Sequence, residues 1–259
     1  MSKLIFFPAS LRPAIGKYLS KTIVFFHTLK WFISPPTKGK YVEVSMLVPA
    51  EFSEGEFDEY VFNFSINLIT YAQKNNLSYL SNRVKGVQLD QINRFPGEHY
   101  RLLQALMKVS KPQMVVEVGT YTGLSSLVML NSIPIESKLI TYDIMAWDKF
   151  PNTVFNDADF GNSFEQRLGN LAEKSFFESQ LDIMTKADIF FIDGPKNGIF
   201  EQHFLKLFFQ FRKQPCILIF DDIRLLHMIE LWRSLNFKKI DLTSFGHWTG
   251  TGVVFFDPD

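Results

Sequence analysis

From residue 114 onward the chain alternates short, nearly continuous apolar runs with longer stretches of helical spacing. The runs are MVVEVG (114–119), KLITYD (138–143), FEQRLGN (164–170), ADIFFID (187–193), CILIFDD (216–222), KKIDLTS (238–244) and TGVVFF (251–256). Runs of this length and character read as strands buried on both faces. The stretches between them place helices over 123–131, 172–184, 199–212 and 224–235. Strict alternation of the two predicts an α/β domain, a parallel sheet wound with helices on both sides. Between the last two runs stands only FGHWTG (245–250), too short for a crossover helix. A hairpin there makes the seventh strand antiparallel to its neighbour.

Upstream the pattern is helical. PGEHYRLLQALMKV (96–109) and FDEYVFNFSINLITYAQKNN (57–76) each read as a helix, the second ended by its asparagine pair. Residues 14–33 carry Ile15, Tyr18, Leu19, Phe25, Phe26, Leu29, Phe32 and Ile33 on one helical face until SPP (34–36) stops the run. These features predict a helical extension over 1–85 followed by the α/β domain over 86–259. The formal net charge is zero, which gives no global signal for nucleic-acid binding. The balance hides an asymmetry, because seven lysines and arginines precede the first acid, Glu43. A basic amphipathic helix over 14–33 fits peripheral contact with an anionic membrane, or with a partner such as a second copy of the chain. Packing on the body of the protein with solvated lysines is the ordinary alternative.

No stretch approaches the roughly 18 consecutive apolar residues of a membrane span, and a lone Cys216 fits a reducing compartment. The chain therefore reads as cytoplasmic, with Cys216 as a small buried hydrophobe. The 28 phenylalanines, scattered through strands and helices, read as core.

The first strand runs into VVEVGTYTGLSS (115–126), a strand, a tight turn and a helix opening, the place where nucleotides bind in doubly wound sheets. A dinucleotide fingerprint needs a second glycine two positions after Gly119, where the chain has Tyr121, and the G-K-[ST] of a phosphate loop is also missing. A bulky side chain in mid-turn points to a ligand without close pyrophosphate contact. The turn resembles the first motif of class I S-adenosylmethionine-dependent methyltransferases, carried here by Glu117, Gly119, Thr120, Tyr121, Gly123 and Ser125. The resemblance implies a Rossmann-like, doubly wound seven-stranded sheet with an antiparallel last strand over residues 96–256. It also implies S-adenosyl-L-methionine as cofactor, with Asp143 at the end of KLITYD holding the ribose hydroxyls and Asn170 of LGN at the adenine edge. A plain turn is the other reading of Asn170.

A second group of residues closes strands four and five. FFIDGPKNG ends strand four with Asp193 and LIFDDIR ends strand five with Asp221 and Asp222, at the same sheet edge as the turn. Three converging carboxylates repel one another unless a positive charge lies among them, and hard oxygen ligands suit Mg²⁺. The arrangement resembles cation-dependent O-methyltransferases of the catechol and caffeoyl-CoA type, with Lys196 three positions after Asp193. Asp222 departs from that pattern, which has asparagine there. The resemblance implies Asp193, Asp221 and Asp222 as metal ligands and Asp193 as a cofactor contact. It implies Lys196 and Asp193 as catalytic residues, with Lys196 taking the acceptor's proton once its own pKa is lowered towards neutrality. Without it, Asp221 and Asp222 read as an N-cap pair for a helix near Arg224 and Lys196 as a solvated loop residue. His247 and Trp248 are expected to line the acceptor pocket, and His99 to sit on a helix within reach of the cofactor or to be a satisfied histidine.

The expected activity is methyl transfer to a small hydroxylated acceptor. Metal-independent transfer to another oxygen, nitrogen or carbon is one alternative, and a silent cofactor-binding module with a functional basic helix is the other.

Overall fold

The computed structural model of the chain describes residues 58–84, 92, 98–246 and 249–258. The expected helix over 14–33, and His247 and Trp248, lie outside the described residues.

Seven strands follow the sequence runs closely: β1 Met114–Val118, β2 Lys138–Asp143, β3 Phe164–Leu168, β4 Ile189–Ile192, β5 Cys216–Asp221, β6 Lys238–Asp241 and β7 Thr251–Phe256. They form one sheet in the order β3-β2-β1-β4-β5-β7-β6. β1 to β5 pair in parallel, and β7 runs antiparallel to both β5 and β6. Strand order reverses between β1 and β4, the switch point at which such sheets bind ligands.

Successive strand residues face opposite sides of a sheet, and here both sides are buried. Val115, Ile189, Phe191 and Ile219 point into one core, while Val116, Phe190, Ile192, Leu218 and Phe220 point into the other. The first core is closed by α1 (Glu59–Lys74), α2 (Glu98–Ser110) and α3 (Leu124–Leu130), through Leu68, Leu102, Leu106 and Leu127. α1 caps its own start with the Asp58 side chain, which accepts from the Val61 N–H at 3.0 Å. The other face is covered by α4 (Lys174–Ser179), α5 (Leu181–Met184), α6 (Ile199–Phe211) and α7 (Met228–Ser234), with Phe177, Phe204, Phe208, Met228 and Trp232 pointing inward.

Many of the phenylalanines are core, as their spread predicts. Phe208 meets Phe190 edge-on with centroids 4.8 Å apart and touches Phe256 at 5.5 Å. Cys216 is buried at the start of β5, and burial pushes its thiol up to about 12, which leaves it a poor nucleophile.

Two elements differ from the sequence reading. The helix expected over 172–184 is split at Gln180, whose buried side-chain oxygen accepts from Tyr142 Oη at 3.1 Å and Arg167 Nη1 at 2.7 Å. The helix expected from 224 begins only at Met228, after a turn in which Leu226 has φ 50°.

Phe208→Ala should cost about 3–5 kcal/mol of unfolding free energy, because the sheet and α6 cannot close around the void. Ile135→Ala, at a side chain 91% exposed, should change it by less than about 0.5 kcal/mol. Urea titration of the two variants checks the contrast.

Candidate active site

Strand register aligns the chemistry. Val118 is level with Tyr142 on β2 and Ile192 on β4, and Ile192 is level with Phe220 on β5. The next residue on each strand therefore falls in one row along the carboxyl edge: Asp143, Gly119, Asp193 and Asp221. The Gly119 N–H donates to the Tyr142 carbonyl and the Asp193 N–H to the Val118 carbonyl, each at 2.8 Å, so the row is tied down beyond the strands themselves.

The turn at the centre of this row needs its glycines. Gly119 has φ 101°, and a Cβ there would lie 2.1 Å from the Asp193 carbonyl oxygen. Gly123 has φ 88°, and a Cβ there would lie 2.2 Å from the Phe155 ring. Between them Tyr121 adopts φ 43°, a conformation that costs a non-glycine residue about 1 kcal/mol or more. Its ring stands two-thirds exposed against Phe150, with centroids 5.3 Å apart. The strain is held by Asp143, whose Oδ2 accepts from the Thr120 and Tyr121 N–H groups at 3.0 and 3.1 Å, while Oδ1 accepts from Met145 N–H at 3.0 Å.

A cavity of about 680 Å³ opens over this turn. Gly119, Tyr121, Asp143, Asn170 and Asp193 are among its walls. Glu117, Thr120 and Ser125 are buried beneath the turn instead. Glu117 is fully buried and accepts from Ser125 Oγ at 2.5 Å and from Ser126 Oγ. Thr120 shares a hydrogen bond with Thr141 at 2.8 Å and accepts from Gln166 Nε2 at 3.1 Å. Asn170 lines the cavity, yet its amide oxygen accepts from Ala172 N–H at 3.0 Å and closes a turn. The shape and the chemistry fit a nucleoside with a flexible tail: an apolar-walled cleft, a carboxylate on β2, and glycines that let a ligand approach backbone. A cavity of this size is in the range of small-molecule sites.

Asp193, on the cavity wall, also belongs to a second cluster. One oxygen each of Asp193, Asp221 and Asp222 lies within 4.8 Å of the others. Three hard oxygen donors at this spacing fit an octahedral divalent cation completed by water or substrate oxygens. Asp221 and Asp222 are not the N-cap of the following helix, which His227 precedes. Lys196 is not solvated either. It is 7% exposed, and its Nζ lies 2.6 Å from Asp193, 3.1 Å from Asp222 and 3.4 Å from Asp221.

Burial alone would lower the Lys196 pKa, but Asp193, Asp221 and Asp222 outweigh it and hold the side chain above its ordinary range as an ammonium. In this arrangement Lys196 is the counter-ion of the three carboxylates. Asp193 is pushed above the usual carboxylate range by desolvation, with Lys196 pulling it down and Asp221 and Asp222 pushing it up.

Three further side chains complete the site, of which Glu201 and Tyr100 were not expected and His99 was. Glu201, fully buried at the start of α6, accepts from the Lys196 N–H at 2.8 Å and the Gly198 N–H at 2.9 Å and so fixes the loop that carries Lys196. Its spacing from Gly198 is the capping pattern of a helix start, which was there to read in GPKNGIFE. α2 brings His99, buried, to 3.7 Å between Nδ1 and Asp221 Oδ1. Tyr100 stacks edge-on with His99 at 4.0 Å, and desolvation together with the nearby carboxylates raises its hydroxyl pKa.

Residues 116–223 match the family model described as a methyltransferase domain. No curated protein matches the chain in sequence. Among solved structures, a Staphylococcus aureus protein provisionally assigned as a caffeoyl-CoA O-methyltransferase superposes with a TM-score of 0.51 at 16% identity, over 75% of this chain and 99% of that one. The O-methyltransferase TomG from Streptomyces achromogenes, solved with S-adenosylmethionine, gives 0.48 at 15% identity over 78% and 100%. MycE methyltransferase from the mycinamycin biosynthetic pathway gives 0.35 at 15% identity over 45% of this chain, which spans only 30% of its length.

Complete burial pushes the Glu117 carboxyl up to about 7, against the serine hydroxyls that pull it down. The folded state thus keeps a proton that the unfolded chain releases near 4.5. Its contribution is fully present below that pH and is lost as pH rises to about 7. Glu117→Gln removes the titration. The stability of the wild type relative to this variant should fall by on the order of 2–3 kcal/mol across the window. A pH-independent difference in urea unfolding would contradict the assignment.

Proposed function

We propose that this chain, a class I S-adenosylmethionine-dependent methyltransferase by its fold and by the methyltransferase domain over residues 116–223, methylates a hydroxyl of a small acceptor with divalent-cation assistance. The observation that carries this reading is the shared position of Asp193, at once a wall of the cofactor cavity and a member of the three-carboxylate cluster. A methyl donor in the cavity and an acceptor oxygen held at the cluster then meet at one sheet edge.

In the transfer the S–CH₃ bond breaks as an O–CH₃ bond forms, which yields S-adenosylhomocysteine and a methyl ether, and the hydroxyl proton passes to solvent water. The chain acts chiefly by positioning the two reactants, since no covalent enzyme intermediate is needed and alignment alone removes much of the barrier. Gly119 and Tyr121 shape the seat of the donor, and Asp143, a wall residue of the cavity, accepts from the ribose hydroxyls. Asp193, Asp221 and Asp222 hold the cation, Mg²⁺ or a similar ion. When bound, such an ion lowers the pKa of a coordinated hydroxyl and orients two adjacent oxygens. Lys196 steadies the acceptor oxygen as an anion, and His99 and Tyr100 form the wall on the α2 side. An acceptor with neighbouring hydroxyls suits this arrangement. Metal-independent transfer is favoured by one observation, the Lys196 ammonium already seated among the carboxylates.

Two measurements test the reading. Asp143→Ala should weaken S-adenosylhomocysteine binding in calorimetry by about 10- to 100-fold, the value of charge-assisted hydrogen bonds together with loss of the turn they support. An unchanged affinity would refute the ribose contact. With a panel of catechols, polyols and amines, methylation should appear on a dihydroxy acceptor, vanish with a strong chelator and return with Mg²⁺ or Mn²⁺. Turnover that survives chelation would establish the metal-independent reading instead.

A further inference from the structure

The Lys196 side chain occupies the space among Asp193, Asp221 and Asp222 that a cation would need. Its ammonium is within 3.4 Å of all three carboxylates and is buried, so it is not a passing surface contact. The backbone is shaped to keep it there. Lys196 and Asp222 both adopt φ 58°, a conformation that persists in non-glycine residues only where the surroundings impose it. On the lysine side that surrounding is the buried Glu201, which accepts from the Lys196 N–H. Among the described residues, His99 is a second basic group beside the cluster, 3.7 Å from Asp221.

Resting on the cation-assisted reading above, we infer that Lys196 is an internal competitor for the cation: its ammonium holds the three carboxylates in the empty enzyme and must leave them when a divalent ion binds. The physical reason is spatial. A hard divalent ion takes oxygen ligands at about 2.0–2.6 Å, and a second cation cannot remain in hydrogen-bonding contact with the same three oxygens without severe repulsion. A divalent ion carries twice the charge of the ammonium it replaces, so the exchange strengthens the attraction to the carboxylates. The lysine, anchored through its backbone to Glu201, stays at the site's edge on a flexible four-carbon stem. Cation binding would thereby release Lys196 towards the acceptor, so that its positive charge faces the acceptor oxygen only when the metal is in place.

The test uses Mn²⁺ as the probe and needs no acceptor. Binding is followed from loss of the free Mn²⁺ paramagnetic resonance signal, in wild type, Lys196→Gln and Lys196→Met. In parallel, acetylation of Lys196 in the wild type by an amine-reactive reagent is read by mass spectrometry with and without Mn²⁺. The inference expects both variants to bind Mn²⁺ at least about tenfold more tightly than wild type, and expects Mn²⁺ to raise the rate of Lys196 acetylation several-fold. If Mn²⁺ binds but Lys196 acetylation does not change, or if the variants bind no more tightly than wild type, the competition is refuted and cation assistance stands. If neither wild type nor the variants bind Mn²⁺, both readings fall. Should the substitutions unfold the chain, the acetylation measurement on wild type decides alone.

Discussion

Three carboxylates whose oxygens lie within 4.8 Å of one another at a largely desolvated sheet edge repel one another unless a cation or a proton lies among them, and the arrangement of this site follows from that constraint. Like charges at such distances repel strongly outside bulk water. The chain answers with Lys196, 2.6 Å from Asp193, and holds it with a buried glutamate that grips its backbone rather than its side chain. The loop is thus fixed through its main chain, and among the described residues the ammonium is held by the carboxylates alone.

The same edge carries a second demand. A ligand that approaches backbone needs a turn with no side chain in the way, and β1 leads into one where Gly119 nearly touches the Asp193 carbonyl. Cofactor turn and carboxylate cluster are thus mechanically joined, since the residue whose side chain belongs to the cluster lends its main chain to the turn. Asp143 plays the matching part on the other side by tying the Thr120 and Tyr121 amides. Three non-glycine residues with positive φ, Tyr121, Lys196 and Asp222, stand at this edge. Strain placed there is sustained by the two buried cores beneath it.

Much of this was legible in the sequence because strands buried on both faces leave a plain mark. KLITYD and TGVVFF coincide with β2 and β7 to the residue, and the short link before TGVVFF foretold its antiparallel direction. The glycines, Asp143 and the three acids could be placed at one edge because a parallel sheet puts every strand end there. What could not be read depends on contacts distant in sequence. The break at Gln180 arises from Tyr142 and Arg167. His99 was expected within reach of the cofactor, but that its partner is Asp221 depends on the packing of α2 and could not be read locally. The seat of Lys196 among three carboxylates is assembled only by folding, so its ion pairs could not be read from GPKNG.

Whether donor and cation sites meet at Asp193 is decided by a crystal structure with S-adenosylhomocysteine and Mn²⁺, with the metal located by anomalous scattering. The nucleoside is expected in the cavity lined by Asp143 and Asn170, and an anomalous peak is expected between Asp193, Asp221 and Asp222, with Lys196 displaced from them. A filled cavity with no peak at these carboxylates, under saturating Mn²⁺, would contradict the shared site.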